Sequence, residues 1–382
     1  MPHVLHVFTV PESLAFLRGQ PAFMRGRGYD MAVVSSPGPG LAAFGVREGV
    51  ATHAISMPRR ISPGQDAASL ARLVALMRRL RPDIVHAHTP KGGLLGTIAA
   101  TIARIPVKIY HMRGLPLVTA VGTQRVLLRS SEQVSCGLAT KVLAVSRSLR
   151  DVAIAERLCP SDKISVLAGG SGNGVDGDRF DPERVGTSAR AALRARLAIA
   201  DDAPVIGFVG RLVRDKGIVE LLNAFREVKL RHPGAHLVVG GVFEERDPVP
   251  PVTRRALEDD RHVHLLGYVD DTPSVYAAID VLALPSYREG FPNVPLEAAA
   301  MRLPVVTTQV PGCVDAVVDG LTGTLVPARD ASALARALDA YLDDPALRAR
   351  HGNAGRARVE ASYRRERIWE ALAGVYDELL GR

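Results

Sequence analysis

Short apolar runs alternate with amphipathic segments along the whole chain. In the first half, Val4 to Val10 and Met31 to Ser35 predict buried strands, with a helix from about Leu14 to Arg27 between them. Asp66 to Leu80 then has the period of an amphipathic helix, and Val205 to Val209 begins the same alternation in the second half. Strands that alternate with helices favour a parallel sheet covered by helices on both faces. The pattern therefore predicts an α/β protein.

One predicted strand leads into a loop and a helix that carry acidic side chains. Val281 to Leu284 predicts a strand buried on both faces, and Glu289 lies in the loop after it. Pro295 suits the first turn of the next helix, which would carry Glu297 in that turn. In an open parallel sheet such a loop faces the ligand crevice, and the helix dipole favours an anion there. We expect the two carboxylates to accept hydrogen bonds from the hydroxyl groups of a sugar and a ribose.

A second loop carries positive charge. The apolar run from Val205 to Val209 is followed by Gly210, Arg211 and Lys216, and a predicted helix begins at Ile218. A guanidinium offers a planar fork and an ammonium offers a point charge, and both suit phosphate oxygens. The loop therefore indicates a phosphate-binding site in the second half of the chain.

These two loops resemble the donor site of a known enzyme family. Glu289 and Glu297 are separated by seven residues that include the run GFPNV, as in the retaining glycosyltransferases of family four. The loop with Arg211 and Lys216 resembles the diphosphate clamp of the same family. The resemblance covers nearly the whole chain and implies two doubly wound, Rossmann-like domains that face a cleft, the GT-B fold.

The resemblance implies a role for each of these residues. Arg211 and Lys216 would stabilise the leaving diphosphate, Glu289 would hold the donor-sugar hydroxyls and Glu297 would hold the ribose. His88 matches a family histidine in the cleft near the donor sugar. No metal and no other cofactor would be required. Further donor contacts, several of them through the backbone, would come from Gly210, Tyr268, Val269, Gly290, Phe291, Pro292, Asn293 and Val294.

The resemblance also places a domain boundary near Gly172. Residues 1–172 would form the acceptor-side domain, with a C-terminal helix, residues 366–382, crossing back onto it, and residues 173–365 would bind the nucleotide sugar. The glycines of residues 172–177 match the dinucleotide fingerprint G-x-G-x-x-G. Residues 178–182 look a poor start for the helix that this fingerprint requires, so we interpret the segment as a hinge.

The turn after the first strand departs from the family. Family members usually carry glycines there that approach the donor diphosphate, whereas this chain has Thr9, Val10, Pro11, Glu12 and Ser13. Ser13 or Arg18 would be the substitutes for that contact.

A histidine pair allows two interpretations. His86 and His88 lie on the same side of a predicted strand, so they could bind a metal together. No third ligand stands at a suitable spacing in the sequence. We therefore favour buried or crevice histidines and expect no metal site.

Positive charge is concentrated in the first half of the chain. Residues 1–180 contain 22 Lys and Arg against 11 Asp and Glu, whereas the remainder contains 26 against 29. The net charges are therefore +11 and −3, and they sum to +8. A basic half favours an anionic membrane surface or a phosphorylated acceptor. Nucleic acid is disfavoured, because aromatic residues make up only 5% of the chain and no stacking motif is apparent.

An apolar segment in this half could contact the membrane. Leu115, Leu117 and Val118 are accompanied by arginines that suit anionic headgroups. The alternative is an ordinary connection that faces the core. The arginines are Arg113, Arg125 and Arg129.

The cysteines and the N-terminal residues favour a cytoplasmic protein. The three cysteines have no paired spacing, so neither a disulfide framework nor a zinc site is indicated. The first residues lead directly into an apolar strand without a basic and apolar leader. We expect a cytoplasmic enzyme on the inner face of the membrane.

The predicted activity is transfer of a sugar with retention of its anomeric configuration. Within the family, the resemblance is to bacterial enzymes that build capsule, exopolysaccharide or O-antigen on a lipid-diphosphate carrier. It implies a UDP-linked, N-acetylated donor sugar and a lipid-linked or polysaccharide acceptor. Two alternatives remain open: a nucleotide-sugar 2-epimerase of the same architecture, and a non-catalytic protein that binds nucleotide sugars.

Overall fold

The chain is described by a computed structural model of residues 1–382, which divide into two compact units. Unit 1 contains Met1–Asn173 and Glu366–Arg382, and unit 2 contains Gly174–Arg365. Each unit has its own parallel sheet. No helix combines the length and the apolar composition that crossing a bilayer requires.

Unit 1 is built on a seven-stranded parallel sheet. Its strands are β1 (His3–Val7), β2 (Asp30–Ser35), β3 (Ala51–Ala54), β4 (Ile84–His88), β5 (Val107–Met112), β6 (Lys141–Ala144) and β7 (Ile164–Val166). Its helices up to this point are α1 (Gln20–Gly26), α2 (Pro39–Glu48), α3 (Pro63–Leu80), α4 (Pro90–Ile102), α5 (Gly122–Leu138) and α6 (Arg147–Ala155). The strand order is β3-β2-β1-β4-β5-β6-β7, so the direction of winding reverses between β1 and β4.

The first strand and the first helix differ from the sequence prediction. β1 ends at Val7 rather than Val10, and the predicted helix from Leu14 to Arg27 is divided into a 3-10 helix, Pro11–Leu17, and α1. Pro21 lies in the first turn of α1 and has no N–H, so it cannot continue a preceding helix.

Unit 2 is built on a six-stranded parallel sheet. Its strands are β8 (Val205–Val209), β9 (His236–Gly240), β10 (Val263–Gly267), β11 (Val281–Leu284), β12 (Val305–Thr308) and β13 (Gly323–Val326). Its helices are α7 (Pro182–Arg196), α8 (Ile218–Arg231), α9 (Pro251–Asp259), α10 (Thr272–Ala278), α11 (Asn293–Ala300), α12 (Cys313–Ala316), α13 (Ala331–Asp343) and α14 (Pro345–Ser362). The strand order is β10-β9-β8-β11-β12-β13, with the reversal between β8 and β11.

The last helix, α15 (Arg365–Leu380), supplies part of the core of unit 1. Its apolar positions recur at helical spacing, which places Trp369, Leu372 and Tyr376 on one buried face. This face packs against Val4 and Ile84 of the sheet. The packing explains why the end of the chain belongs to the same unit as its beginning.

The glycines of residues 172–177 are followed by a helix, although the sequence of residues 178–182 did not indicate one. Pro182 occupies the first turn of this helix, α7, and the Asp181 side chain accepts a hydrogen bond from the Glu183 N–H at 3.1 Å. However, β7 ends at Val166, well before Gly172, so the glycines do not form a strand-to-helix turn. The segment therefore lacks the geometry of a dinucleotide site.

Candidate active site

The candidate site of unit 2 lies where the winding of its sheet reverses. β8 and β11 are neighbours there, and Val281 pairs with Ile206. In open α/β sheets the loops after the carboxyl ends of two such strands border the ligand crevice. The loop after β8 carries Arg211 and Lys216, and the loop after β11 carries Glu289. The sheet order thus brings together the two loops that the sequence singled out.

Two glycines allow the loops of this site to approach one another closely. Gly217 has φ 70°, and a Cβ there would lie 2.0 Å from the carbonyl oxygen of Pro285. Gly312 has φ 82°, and a Cβ there would lie 2.5 Å from the carbonyl oxygen of Gly290. Only glycine fits both the left-handed backbone and the contact. The first glycine fixes the position of Lys216, and the second fixes that of Glu289.

An ion pair joins the two loops. Lys216 Nζ donates a hydrogen bond to Glu289 Oε1, and both side chains are largely buried. A second pair reinforces it, because Arg288 Nε lies 2.7 Å from Asp215 Oδ2. The ammonium has three N–H donors, so it can bind an anion while it remains bonded to Glu289. The pair therefore presents a cation and hydroxyl-accepting oxygen atoms at the same point.

Arg211 lies on the exposed part of the same loop. Its side chain is 55% exposed, and Nη1 lies 3.0 Å from Glu244 Oε2. The structure therefore pairs Arg211 with Glu244, a partner that the sequence did not suggest, and not with the Lys216 and Glu289 pair. Exposed ion pairs contribute little stability, so the guanidinium can exchange Glu244 for a phosphate at small cost.

Glu297 is held by a buried tyrosine. α11 begins at Asn293, so Glu297 lies in its second turn, and the prediction of the first turn was wrong. The hydroxyl group of Tyr276 donates to Glu297 Oε2 at 2.8 Å. Burial and the neighbouring carboxylate raise the pKa of Tyr276 well above its ordinary value, so the hydroxyl keeps its proton. Tyr276 was missed because it looks like any apolar position of a short helix.

Two buried oxygen atoms lie close to these carboxylates in sequence and have no hydrogen-bond partner. They are Ser286 Oγ, directly after β11 and Pro285, and Asn293 Oδ1, at the start of α11. Buried polar atoms are normally hydrogen-bonded in proteins. A polar ligand can supply the missing partners here. Of the other predicted contacts, Gly290, Phe291 and Pro292 are buried and Val294 is partly buried.

Tyr268 and Val269, two of the further donor contacts that the resemblance implies, lie after β10, the edge strand of the sheet. Tyr268 is 78% exposed, whereas Val269 is partly buried. β10 ends at Gly267, so both residues follow the strand. They share the carboxyl edge of the sheet with Gly210, which follows β8.

In unit 1 the winding reverses between β1 and β4, and histidines meet at this point. His6 pairs with His86 in the register of the two strands. His88 Nε2 lies 2.9 Å from His6 Nδ1, and its ring stacks on Phe8 with centroids 4.1 Å apart. The ligand atoms of His6, His86 and His88 lie within 4.8 Å of one another. His6 is therefore the third histidine that sequence spacing could not reveal.

Hydrogen bonds account for most ring nitrogen atoms of these histidines, although His6 Nε2 and His111 Nε2 are buried without a partner. Arg113 Nε donates to His88 Nδ1 at 3.1 Å, so the neutral His88 ring carries its proton on Nε2 and donates to His6. His86 contacts Tyr376 Oη at 2.6 Å and His111 Nδ1 at 3.2 Å. The guanidinium charge beside His88 opposes a divalent cation. The residues therefore fit a hydrogen-bonded cluster better than a metal site.

Burial and the Arg113 charge keep this cluster neutral. Burial lowers the pKa of His6 to about 3, with a smaller contribution from Arg113. The pKa values of His86, His88 and His111 are lowered well below the ordinary value, again mainly by burial. His88 is fully buried and its partners all lie in unit 1. We therefore assign His88 to the positioning of Arg113, and direct contact with a donor sugar remains a prediction.

Of the two interpretations of the segment with Leu115 and Leu117, the structure supports the connection that faces the core and contradicts the membrane contact. Both side chains are buried, and only Val118 of this segment is exposed. Arg125 Nη1 donates to the carbonyl group of Leu117 at 2.8 Å, and its Nη2 pairs with Glu156. These bonds attach the segment to α5 and to the end of α6. The other arginines also have partners in the protein, namely Arg113 with His88 and Arg129 with the backbone carbonyl of Glu156.

Comparison with known proteins gives a consistent result. Residues 17–170 match the glycosyl transferase 4-like domain, and residues 189–358 match the glycosyl transferases of group 1. The chain is 36% identical over 377 residues to the capsular polysaccharide biosynthesis glycosyltransferase CapM of Staphylococcus aureus, covering 99% of this chain and 97% of that protein.

More distant similarity is found to a lipid-linked sugar transferase and to solved structures. The chain is 27% identical to the UDP-Gal:alpha-D-GlcNAc-diphosphoundecaprenol alpha-1,3-galactosyltransferase of Escherichia coli, covering 76% of this chain and 74% of that protein. The crystal structure of Anabaena Alr3699/HepE in complex with UDP and glucose superposes with a TM-score of 0.83 at 21% identity, covering 99% of this chain and 100% of that one. At this identity the likeness shows the fold, and it confirms the predicted GT-B class. The chain therefore belongs to the family-four glycosyltransferases of the GT-B fold.

Proposed function

We propose that this glycosyltransferase moves an N-acetylated sugar from a UDP donor to a hydroxyl group of a lipid-linked or polysaccharide acceptor, with retention of the anomeric configuration. The observation that carries the proposal is the Lys216 and Glu289 pair at the reversal point of the unit 2 sheet. The names of the Staphylococcus and Escherichia relatives support a role in capsule or related cell-surface glycan synthesis.

The geometry of unit 2 suits the departure of a nucleoside diphosphate. Negative charge grows on the bridging oxygen atom as the sugar leaves, and a preorganised cation stabilises it. Lys216 is held in place by Glu289 and by the Gly217 turn, so little reorganisation is needed. Arg211 can add a second cation, and the N-terminus of α11 adds its dipole. Glu289 and Glu297 then accept hydrogen bonds from the donor-sugar and ribose hydroxyl groups.

The same groups supply what a divalent cation supplies in other transferases, so we propose a metal-independent reaction. The test is transfer to a short-chain prenyl-diphosphate-linked glycan, with donors first screened by thermal shift. We expect one UDP-sugar to raise the melting temperature and to be transferred equally well with and without EDTA. Activity that EDTA abolishes and manganese restores would contradict metal independence and would return the histidine cluster as a ligand candidate.

The same assay separates the alternative functions. Conversion of the donor to an epimer without any acceptor would identify a nucleotide-sugar 2-epimerase. Binding of a nucleotide sugar with neither transfer nor hydrolysis would identify a binding protein. Analysis of the product linkage by NMR gives the anomeric configuration, and an inverted product would contradict the retaining mechanism.

We also propose that the protein acts at an anionic membrane surface. Residues 1–180 carry a net charge of +11, and Val121, Val126 and Leu127 at the start of α5 are exposed. Electrostatic attachment should weaken with salt because exposed charges are screened. Vesicle sedimentation at low and high salt measures it, and equal binding to neutral and anionic vesicles would contradict the charge argument.

A further inference from the structure

Arg113 is positioned unusually well for a residue without a carboxylate partner. It directly follows β5, at the carboxyl edge of the unit 1 sheet. Nε donates to His88 Nδ1 at 3.1 Å, and Nη1 donates to the carbonyl group of Gly172 at 2.7 Å. The guanidinium carbon lies 4.5 Å from the centre of the Phe16 ring. Three groups therefore fix the guanidinium in one orientation.

The positive charge of Arg113 is not neutralised by the protein. A guanidinium has five N–H donors, and the protein provides acceptors for two of them, His88 Nδ1 and the Gly172 carbonyl oxygen. No Asp or Glu forms an ion pair with Arg113, and burial lowers its pKa to about 9. Burial of an uncompensated charge is costly, so such residues usually have a binding role.

A fully buried arginine of unit 2 shows what a structural role looks like, whereas Arg113 is only partly buried. In unit 2, Arg194 is fully buried, but Nη2 pairs with Asp280 at 3.1 Å and its other nitrogen atoms donate to backbone carbonyl groups. Its charge and its donors are therefore satisfied within the protein. Arg113 lacks both features, so packing alone does not account for it.

Another arginine, Arg18, contacts the residues that surround Arg113 at the carboxyl edge of the unit 1 sheet. The carbonyl group of Arg18 accepts a hydrogen bond from Asn173 Nδ2 at 3.2 Å, and Asn173 follows the Gly172 that binds Arg113. Arg18 also lies two residues after Phe16, whose ring packs against the Arg113 guanidinium. The Nε atom of Arg18 is buried and has no hydrogen-bond partner. Arg18, which also has no carboxylate partner, is thus connected to the surroundings of Arg113 through Asn173 and Phe16.

Arg113 and His88 lie near the point where the winding of this sheet reverses, which is where the sheet should bind a ligand. β1 and β4 are the strands between which the winding reverses, and open α/β sheets bind ligands at that point. Thr9 and Thr89 follow these strands, and their hydroxyl oxygen atoms lie 3.3 Å apart. Hydroxyl groups and guanidinium forks together suit the oxygen atoms of phosphate groups.

We propose that Arg113 and Arg18 form a second anion site, in unit 1, that binds the diphosphate of a lipid-linked acceptor. The assignment rests on the proposed function. The sequence offered Arg18 as a substitute contact for the donor diphosphate, but that group has its own cations, Arg211 and Lys216, in unit 2. The unit 1 site is therefore available to the second substrate. His88 contributes by holding the guanidinium of Arg113 in position.

The test compares acceptors with and without a diphosphate. Initial rates are measured with a short-chain prenyl-diphosphate-linked glycan and with the same glycan on a neutral alkyl chain. For Arg113→Gln we expect a roughly ten- to hundredfold higher KM for the diphosphate acceptor, as for loss of a hydrogen bond to a charged group. The KM for the neutral acceptor and for the donor should stay unchanged. Arg113→Lys, which keeps the charge without the fork, should recover part of the loss.

Matched controls separate this site from a general effect. Arg27→Gln removes an exposed arginine of unit 1 that pairs with Glu370, and it should leave both acceptor constants unchanged. Arg18→Gln should act in the same direction as Arg113→Gln. Trp369 is the only tryptophan and lies in the core of unit 1, so its fluorescence reports folding of each variant.

The outcomes distinguish the site from the proposed function. If the wild-type protein transfers no sugar to either acceptor, the proposed function fails. If it transfers sugar but Arg113→Gln keeps the wild-type preference for the diphosphate acceptor, the anion site is wrong and the function stands. A rise in the donor KM instead of the acceptor KM would assign Arg113 to the donor diphosphate and would overturn the proposal.

Discussion

The two sheets of this protein share a winding order but differ in the chemistry at the point of reversal. In unit 2, Lys216 and Glu289 extend from loops after the strands and form an ion pair. In unit 1, His6, His86 and His88 lie within the strands and form a neutral, buried cluster. The topology therefore fixes where a ligand can bind, and the side chains decide which ligand it is.

The difference follows from where each sequence places its polar residues. β11 is wholly apolar, so its polar groups begin only after Pro285, in a loop that water and ligands can reach. β4 carries polar residues inside the strand, where they must find partners in the protein. His6, His86, His88 and His111 form hydrogen bonds with one another, and Arg113 places one positive charge beside them. Unit 1 should accordingly respond to acid, and unit 2 to the loss of charged side chains.

The largest expected effect is acid destabilisation of unit 1. Its four buried histidines have lowered pKa values, so the folded state keeps them neutral while the unfolded chain protonates them near pH 6.5. Their contribution to stability is present above pH 6.5 and is lost as the pH falls below it. Four such groups predict a loss of about 5 kcal/mol or slightly more between pH 7.5 and 5.5.

Trp369 fluorescence follows unfolding of unit 1, and hydrogen exchange of β8 and β9 follows unit 2. Unit 2 should lose less stability, because only one of its three histidines with lowered pKa values, His351, is buried, whereas His236 and His264 are only partly buried. Equal losses in the two units would remove the distinction that we draw between them.

A smaller effect is expected from a buried carboxyl group of unit 1. Glu132 accepts a hydrogen bond from the Tyr110 hydroxyl group at 2.7 Å and has no cation partner, and burial raises its pKa from 4.5 to about 7. The folded state therefore favours the protonated form, and stability is lost as the pH rises from 4.5 through 7. Glu132→Gln should be more stable than the wild type at pH 8, by up to about 3 kcal/mol, and should show no gain at pH 4.

Denaturant titration at the two pH values measures this difference. Glu289→Gln in unit 2 is the comparison, because Glu289 is paired with Lys216 and its loss should give no such gain. A gain for Glu132→Gln that is the same at both pH values would mean that ionisation of Glu132 is not its cause.

The smallest effect is expected at Glu297. The proposed contact of Glu297 with the ribose is equally strong in the bound ground state and in the transition state. Loss of this contact should therefore weaken donor binding without slowing the chemical step. Glu297→Gln should raise the donor KM by roughly tenfold and leave kcat unchanged, since one hydrogen bond is worth about 1 kcal/mol or slightly more. Initial rates at varied donor concentration measure it. A fall in kcat at constant KM would place Glu297 with the reacting atoms instead.

The sequence predicted best where the chain is simplest. β8 and β11 have the predicted bounds, because each is an apolar run that is buried on both faces and is followed by a glycine or a proline. β1 was predicted too long, because Phe8 continues the apolar run and is buried against helices although the strand has ended.

The candidate site was predicted in parts but not as an arrangement. The loops of Lys216 and Glu289 were identified from motifs, yet nothing in the spacing indicated that the two side chains pair across 73 positions. His6 and Tyr276 were missed for the same reason, because periodicity shows which face a residue occupies but not which strand or helix lies opposite. One of the two interpretations made Arg113 a headgroup ligand, and only the structure shows that His88 and Gly172 hold it.

The most direct test of the account is the kinetic comparison of two lysines of unit 2. Lys216 pairs with Glu289 at the reversal point, and Lys229 pairs with Asp260 away from it. The cation at the reversal point should act mainly in the transition state, when charge on the leaving diphosphate is greatest.

Initial rates against donor concentration should therefore show that Lys216→Ala lowers kcat by roughly a hundred- to a thousandfold with a smaller change in donor KM. Arg211→Ala should act in the same direction, and Lys229→Ala should retain wild-type kinetics. An unchanged kcat for Lys216→Ala, with only the donor KM raised, would contradict the assignment of leaving-group stabilisation to this lysine, as would equal losses for the two lysine variants.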